Sequence, residues 1–466
     1  MLVRVSPGAL IITTMNQQNI RLPTQAYASD DAELLHRLLR STFDYFTRES
    51  HPVTGLIADK TAPGFPSSIA VTGMGITAFI IGVEQGFITR AAAAARVQKL
   101  LLFLYQGKQG MEENAMGYKG FYYHFLDMQT GERAWKSELS TMDTALLMAG
   151  VLNAATYFSG TEAVEVSIRE TADQLYRRVD WQWALNGKAT LSHGWRPGQG
   201  FLRYRWNQGY SEAILLYVLA LASPTYPIAP VGYQQWINTF SLTRSYHIDY
   251  LYAGPLFIHQ FSHLYIDFRN IYDDFNRRAG FDYFENSARA TRVHQQYALH
   301  DPNRFGYYGK DCWGLSAGDG PCNKTLARKD GKRRFYNYKA RGAPYGPDDG
   351  TIAPWSVVAS LPFAPQLVLE TMRNMITPNQ LKGALIPSFS VSINPAFTSW
   401  SAGGIGWLSP YVFGINEAPM LMMIANFQNE LVWNLAKQCP YFACGLQRAG
   451  FTGGWLSPIA EPVHQD

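Results

Sequence analysis

Apolar positions recur along this chain with a spacing of three and four residues, in segments of one to two dozen residues. Asp31 to Glu49 places Leu34, Leu35, Leu38, Leu39, Phe43 and Phe46 on one face, as an amphipathic helix does. The same reasoning predicts helices over Ser67–Gly86, Arg90–Gly107, Ser140–Phe158, Thr161–Val179 and Tyr210–Ala222. Weaker patterns predict Tyr233–Phe240, Phe257–Asn276 and Gly280–Leu299, and then Pro354–Ser360, Pro365–Met375 and Glu417–Ala436. Two stretches do not fit. Gly117–Arg133 reads as a hairpin or an active-site loop, and Asp301–Thr351 is a long loop of glycines, prolines and charges.

About a dozen helices with no strand-rich block and no flexible linker predict one all-α domain. A helical solenoid should show a fixed repeat period, and none is visible. Six helical hairpins closed into a ring, an (α/α)6 barrel with long loops and a small β-hairpin at one end, fit better. The barrel is expected over 31–458, after an export-related or disordered extension at 1–30 and before a tail at 459–466. Near the start, the apolar run Gly8–Met15 and the cleavage-like Ala26-Tyr27-Ala28 are separated by a polar segment, unlike a signal peptide. No run is long and apolar enough to span a membrane.

Composition narrows the picture. Of 466 residues, 47% are hydrophobic and 14% aromatic, enough for a large core and for rings that stack on sugars. Forty basic and 36 acidic residues give +4, too balanced a charge for a nucleic-acid binder. The basic run Arg328, Lys329, Lys332, Arg333 and Arg334 reads as a solvated loop. Cys312, Cys322, Cys439 and Cys444 lack metal-site or redox spacing and read as four thiols, with two short disulfides the alternative. There is no nucleophile elbow, phosphate-binding loop or dinucleotide fingerprint, and no cofactor or metal is expected.

Carboxylates at helix starts are the candidate chemistry. Trp135-Lys136-Ser137-Glu138 leads into Ser140-Thr141-Met142-Asp143, so Glu138 lies in a loop and Asp143 in a first helical turn. Ser140-x-x-Asp143 also fits a capping box, which would employ Asp143 structurally. A helix N-terminus favours an ionised carboxylate, which suits a base better than an acid. Glu212 lies among Trp206, Tyr210 and the next helix start. Desolvation by rings raises a carboxyl pKa, so Glu212 is the acid candidate. His259, His263 and Asp267 are four apart and would share one helix face, for sugar hydroxyls or as a satisfied buried face. Trp313, Asp319 and Asp349 lie in the long loop, and Glu417 opens the last long helix.

At these segments the chain resembles the bacterial glucoamylase-like domain family, which includes endo-β-1,2-glucanases and is related to the cyclising domain of cyclic β-1,2-glucan synthases. The similarity is carried by Ser140–Leu146, Gly209–Ala213, Pro255-Leu256-Phe257 with His259-Gln260 and Ser262-His263, Ile266–Arg269, Trp313-Gly314-Leu315 through Asp319-Gly320-Pro321, and Asp349–Pro354. It runs from about Leu34 to Phe451. The resemblance implies an (α/α)6 barrel acting on glucose polymers. It places Asp143 and Glu212 in a cleft lined by His259, His263, Asp267, Asp319 and Asp349. Trp206, Tyr210, Trp313 and Glu417 are further expected sugar contacts. Where relatives tend to carry Asp-Gln-Gly-Pro, this chain has Asn416-Glu417-Ala418-Pro419. The expected function is a monomeric glycoside hydrolase of β-1,2-glucan, inverting, with Glu212, Asp143 and Glu138 as its carboxylates and export implied by the relatives. Transglycosylation, α-glucan hydrolysis and non-catalytic sugar binding are the alternatives.

Overall fold

The structure, a computed structural model, describes residues 29–328, 331–375, 389–397 and 406–456. The apolar run at 8–15, Ala26-Tyr27-Ala28, Lys329 and the tail at 459–466 lie outside the described residues.

Two kinds of helix alternate along the first half of the chain, and their composition decides where each sits. Helices α1 (Ser29–Arg48), α3 (Arg90–Gln106) and α5 (Ala163–Arg177) are amphipathic or polar on one side and bury one face. Helices α2 (Ile69–Glu84), α4 (Thr141–Tyr157) and α6 (Ile214–Ala222) are apolar almost all round and are buried along nearly their whole length. A helix without a polar face is stable in water only when other elements surround it. The second half continues with α7 (Val231–Ile237), α8 (Asp274–Ala279), α9 (Tyr283–His300), α10 (Pro354–Val358) and α11 (Pro365–Met375). It ends with α12 (Gly414–Asn429), α13 (Leu431–Gln438) and α14 (Pro440–Arg448). Helix α12 is again buried on most sides, and it packs on α1, α2 and α10, while α4 packs on both α2 and α6. The described chain is thus mostly helical, and one large hydrophobic core runs through it.

The strands are short ladders. Gly117–Tyr118 pairs with Phe121–Tyr122 inside the segment expected to form a hairpin. A longer hairpin joins Leu242–Ser245 to Ile248–Leu251, and another joins Thr325–Arg328 to Gly331–Arg334. More important for the site is a chain of single bridges between the segments that precede the buried helices. Phe413 bridges Lys60, Ala58 bridges Ser67, Ser67 pairs Leu126, Tyr123 bridges Leu139, and Ser140 pairs Gly194. These bridges stitch the entries of α12, α2 and α4 into one surface.

Two helical expectations are corrected. Phe257–Asn276 is not an α-helix. It forms two 3-10 turns, Leu256–His259 and Ser262–Leu264, then irregular chain before α8. Its polar side chains bond across the core instead: Gln260 donates to the Ser356 carbonyl at 2.7 Å, and Ser262 to that of Glu212 at 2.8 Å. The helix expected over Glu417–Ala436 starts earlier and breaks at Glu430, whose φ is +57°. There Asn426 Oδ1 accepts from the N–H groups of Val432 and Trp433 and so caps α13. All four cysteines are free thiols. Among the described residues no helix is long and apolar enough to cross a membrane.

Helices α2 and α4 approach so closely that glycine is required at their contact. A Cβ on Gly150 would lie 2.0 Å from the Gly73 carbonyl oxygen, and one on Gly73 would lie 2.4 Å from the Leu147 Cα. Gly150→Ala is therefore expected to cost about 2 kcal/mol or more by forcing the helices apart. Thermal melting measures it, and an unchanged midpoint would mean that the two helices are not held at this distance.

Candidate active site

The segments entering α2, α4 and α6 bring their charged residues to one place. Ser140 caps α4, its Oγ accepting from the Asp143 N–H at 3.1 Å. The reciprocal half of a capping box is not formed. The Asp143 carboxylate turns instead to His124, 3.8 Å from its Nδ1. The same Nδ1 lies 3.0 Å from Glu138 Oε1, and Arg196 Nη2 lies 3.4 Å from Glu138 Oε2. Asp143 keeps 19% of its side chain exposed and Glu138 23%, so both carboxylates border solvent.

Charge sets these groups apart. Burial alone would lower the His124 pKa, but Asp143, Glu138 and Asp59 together raise it to about 9, making it an imidazolium near neutral pH. The His124 and Arg196 hydrogen bonds hold Glu138 down at about 2 against its partial burial. Burial raises Asp59 to about 6, with His124 and Lys60 opposing and Asp143 adding to the rise.

Glu212 has the opposite environment. It sits in a turn just before α6 rather than in the helix, and Ala213 is the N-cap position. Burial raises its carboxyl to about 7, and the negative charge of Asp143 adds to the effect. Tyr210 lies nearby, its phenol pushed up by burial and by Glu212. Its ring packs against Phe240, His259 and Tyr283 with centroids 5.3 to 5.8 Å away. Trp206 stacks on His193 at 3.8 Å, and its Nε1–H donates to Thr141 Oγ1 at 3.1 Å, tying the α6 entry to the first residue of α4. Asp319 reaches the same place from the long loop, where Asp59, Asp319 and Asp143 all act on the Tyr338 phenol. Its Oδ2 accepts from Ser409 Oγ at 3.2 Å.

Glu138, Asp143, Trp206, Tyr210, Glu212 and Asp319 are thus brought together. The other expected contacts lie in the interior with protein partners. His259 is 1% exposed, its Nε2–H donating to the Ala253 carbonyl at 3.2 Å and its Nδ1 accepting from Asn286 at 3.3 Å. His263 meets Ser287 Oγ at 3.0 Å. Asp267 is clasped by Arg269 at 2.7 Å and Lys437 at 2.6 Å. Burial alone would raise its pKa, but the two cations hold it below the usual range. Asp349, fully buried, forms a two-point pair with Arg341 at 2.7 and 2.9 Å, which pins the long loop. Trp313 is buried with its Nε1–H on Thr371 Oγ1 at 3.0 Å. Glu417 lies in the interior near Tyr45, and burial raises it to about 8. The four-residue spacing of His259, His263 and Asp267 loses its meaning once the segment is not a helix. Among the described residues no group of three or more His, Cys, Asp or Glu could hold a metal ion.

Asp59, Lys60, His124, Arg196 and Tyr338 were not singled out by sequence reasoning. The available signal for Asp59 and Lys60 was a pair of opposite charges directly after the buried run Leu56-Ile57-Ala58. For His124 it was an imidazole inside a segment already read as an active-site loop.

The fold and the site define a helical protein with clustered carboxylates at one end of its buried helices. The glycoamylase family model, described as "Putative glucoamylase", matches residues 203–440, about half of the chain, and this chain belongs to that family. It is 28% identical to an exo-β-1,2-glucooligosaccharide sophorohydrolase (non-reducing end) of Parabacteroides distasonis. That match covers 91% of this chain and 58% of that protein, so the chain spans little more than half the length of this curated relative. A crystal structure of a β-1,2-glucanase from Parabacteroides distasonis is 26% identical with a TM-score of 0.77, over 91% of this chain and 60% of that one. The endo-β-1,2-glucanase of Chitinophaga pinensis, solved with sophorotriose and glucose, shares the fold. It has a TM-score of 0.75 at 24% identity, over 92% of this chain and all of that one.

The interior histidines generate a prediction of their own. Burial holds His259 at about 4, and burial and the neighbouring His259 hold His263 and His294 at about 3. Each folds as a neutral ring, while in the unfolded chain each titrates near 6.5, an ordinary value. These three rings therefore contribute stability that is complete above about pH 6.5 and is lost as the pH drops below it, by up to about 1.4 kcal/mol per unit for each ring. The carboxyls raised to about 6, 7 and 8 oppose them in a melting curve, so the rings are read directly: NMR titration from pH 8 to pH 5 should find all three imidazoles neutral throughout. A protonation midpoint between pH 7 and pH 5 for any of the three would show that it carries a proton in the fold.

Proposed function

We propose that this chain is a glycoside hydrolase of β-1,2-linked glucan, with Glu212 as general acid and Asp143 as general base. The observation that carries this reading is the contrast between the surroundings of the two carboxyls. Glu212 is desolvated and protonated to about pH 7, while Asp143 faces an imidazolium at the N-terminus of α4. A carboxyl kept protonated by burial, beside one that borders solvent and a cation, is the arrangement that acid and base roles require. The substrate class is supported by the names of the relatives. The alternation of buried and amphipathic helices, with α12 packing back on α1 and α2, supports six hairpins closed into a ring.

In an inverting reaction Glu212 gives its proton to the glycosidic oxygen as the bond from the anomeric carbon breaks. Asp143 takes a proton from the water that attacks that carbon from the opposite face. Both carboxyls then return to their starting states by proton exchange with solvent. Glu138, held ionised by His124 and Arg196, fixes the imidazolium that faces Asp143. Asp319, Trp206 and Tyr210 border the space left for the sugar.

Glu212→Gln should lower kcat/KM on linear β-1,2-glucan by about 100-fold to 10,000-fold, read as reducing ends released. Undiminished hydrolysis would remove Glu212 as the acid. The acid form of Glu212 is required, so kcat/KM should fall as the pH rises through about 7. A profile that stays flat to pH 9 would place the proton on another group. Starch assayed in parallel tests the linkage, because faster release from starch would overturn the β-1,2 assignment.

A further inference from the structure

Trp135 is 59% exposed beside the acid cluster, although a tryptophan in water forgoes the burial that usually holds it. Its backbone φ is +53°, and that of Lys136 is +54°. Two consecutive side-chain-bearing residues in the left-handed region are costly, and such strain persists only where surrounding structure enforces it. Here Arg133 enforces it. Its Nε donates to the Ser137 carbonyl at 2.6 Å and its Nη2 to the Lys136 carbonyl at 2.7 Å. Its guanidinium lies over the Tyr123 ring, 4.7 Å from the centroid. The Ala134 N–H bonds to the Phe125 carbonyl and the Ser137 N–H to that of Ala134. The turn is therefore built and fixed, and what it presents to water is an indole.

That indole continues directly into the site. Phe65 meets it edge-on at 4.7 Å and lies under the Lys60 ammonium, next to Asp59. Phe125 meets it at 5.2 Å and stacks on His124 at 4.1 Å with the planes 9° apart. Both rings that hold Trp135 thus lead, through Lys60 and His124, to the carboxylates.

We infer that Trp135 is the stacking platform for a glucosyl residue of the glucan chain, next to the bond cleaved between Glu212 and Asp143. This rests on the hydrolase reading above. A pyranose offers an apolar face of C–H groups, and an exposed indole fixed in orientation receives it with no loss of its own rotamer freedom. Trp135 holds substrate away from the reacting atoms, so it binds ground and transition states alike. Such a residue sets KM and leaves kcat alone.

The test uses the full chain on linear β-1,2-gluco-oligosaccharides of increasing length. Trp135→Ala should raise KM roughly tenfold with kcat little changed, and Trp135→Phe should recover most of the loss. The expected effect is absent from the shortest oligosaccharide cleaved and appears once the chain is long enough to reach the platform. An unchanged KM at every length, or a fall in kcat at constant KM, would overturn the platform while leaving the hydrolase reading intact. If Trp135→Ala fails to fold, oligosaccharide binding to Glu212→Gln is compared by calorimetry with and without Trp135→Leu, which keeps apolar bulk but offers no ring face. Equal affinities would again overturn it. Loss of self-association in Trp135→Ala, with no change in sugar binding, would assign the indole to a second copy of the chain instead. An unaltered protein that neither cleaves nor binds β-1,2-glucan removes the hydrolase reading and the platform with it.

Discussion

Helices with no polar face constrain everything else in this structure. Along α2, α4, α6 and α12 almost every residue is buried, so no charged side chain can be placed on their flanks without losing its hydration. Charges can gather only where these helices begin and the chain is released toward solvent. The site occupies those entries: Asp59 before α2, His124, Glu138 and Asp143 around the start of α4, and Glu212 before α6. Bridges between the entries, from Phe413 through Lys60, Ser67 and Leu126 to the Ser140–Gly194 pair, join them into one sheet-like rim. The rigidity of the packed core is thereby passed to side chains that lie outside it.

Within that rim, small differences in surroundings produce large differences in behaviour. Glu138 has two cationic partners and stays ionised, whereas Glu212 has none among the described residues and keeps its proton. His124 becomes a cation only because Asp143, Glu138 and Asp59 surround it, and it then steadies the charges that created it. The site is a set of mutually dependent groups, so altering one carboxylate changes the protonation of the rest.

Much of the helical order was legible in the sequence, because α1 to α5 carry either a clear apolar stripe or an unbroken apolar run. The carboxylates at helix starts were legible for the same reason, since a cap and a first turn are local events. The segment from Phe257 was misread because its apolar spacing mimics a helix. Buried His259, Gln260, Ser262 and His263 instead spend their hydrogen bonds on other elements, which no local pattern reveals. Asp349 and Asp267 looked like cleft residues for want of their partners, Arg341, Arg269 and Lys437, which the fold supplies. His124 and Asp59 escaped notice for the mirror-image reason, since their significance lies in whom they meet rather than in what surrounds them along the chain.

The four free thiols have a consequence for how this molecule ages. Cys312 and Cys439 are sealed in the interior, where burial raises their thiol pKa values and suppresses the reactive thiolate. Cys444 is exposed near the end of the chain, remote in sequence from the carboxylates. With no covalent cross-link to lose, the architecture is indifferent to reductants, and of its four thiols the one at Cys444 is the most open to solvent, with Cys322 half-buried. The sulfur of Cys444 is therefore the first place where a fluorophore or a surface can be attached.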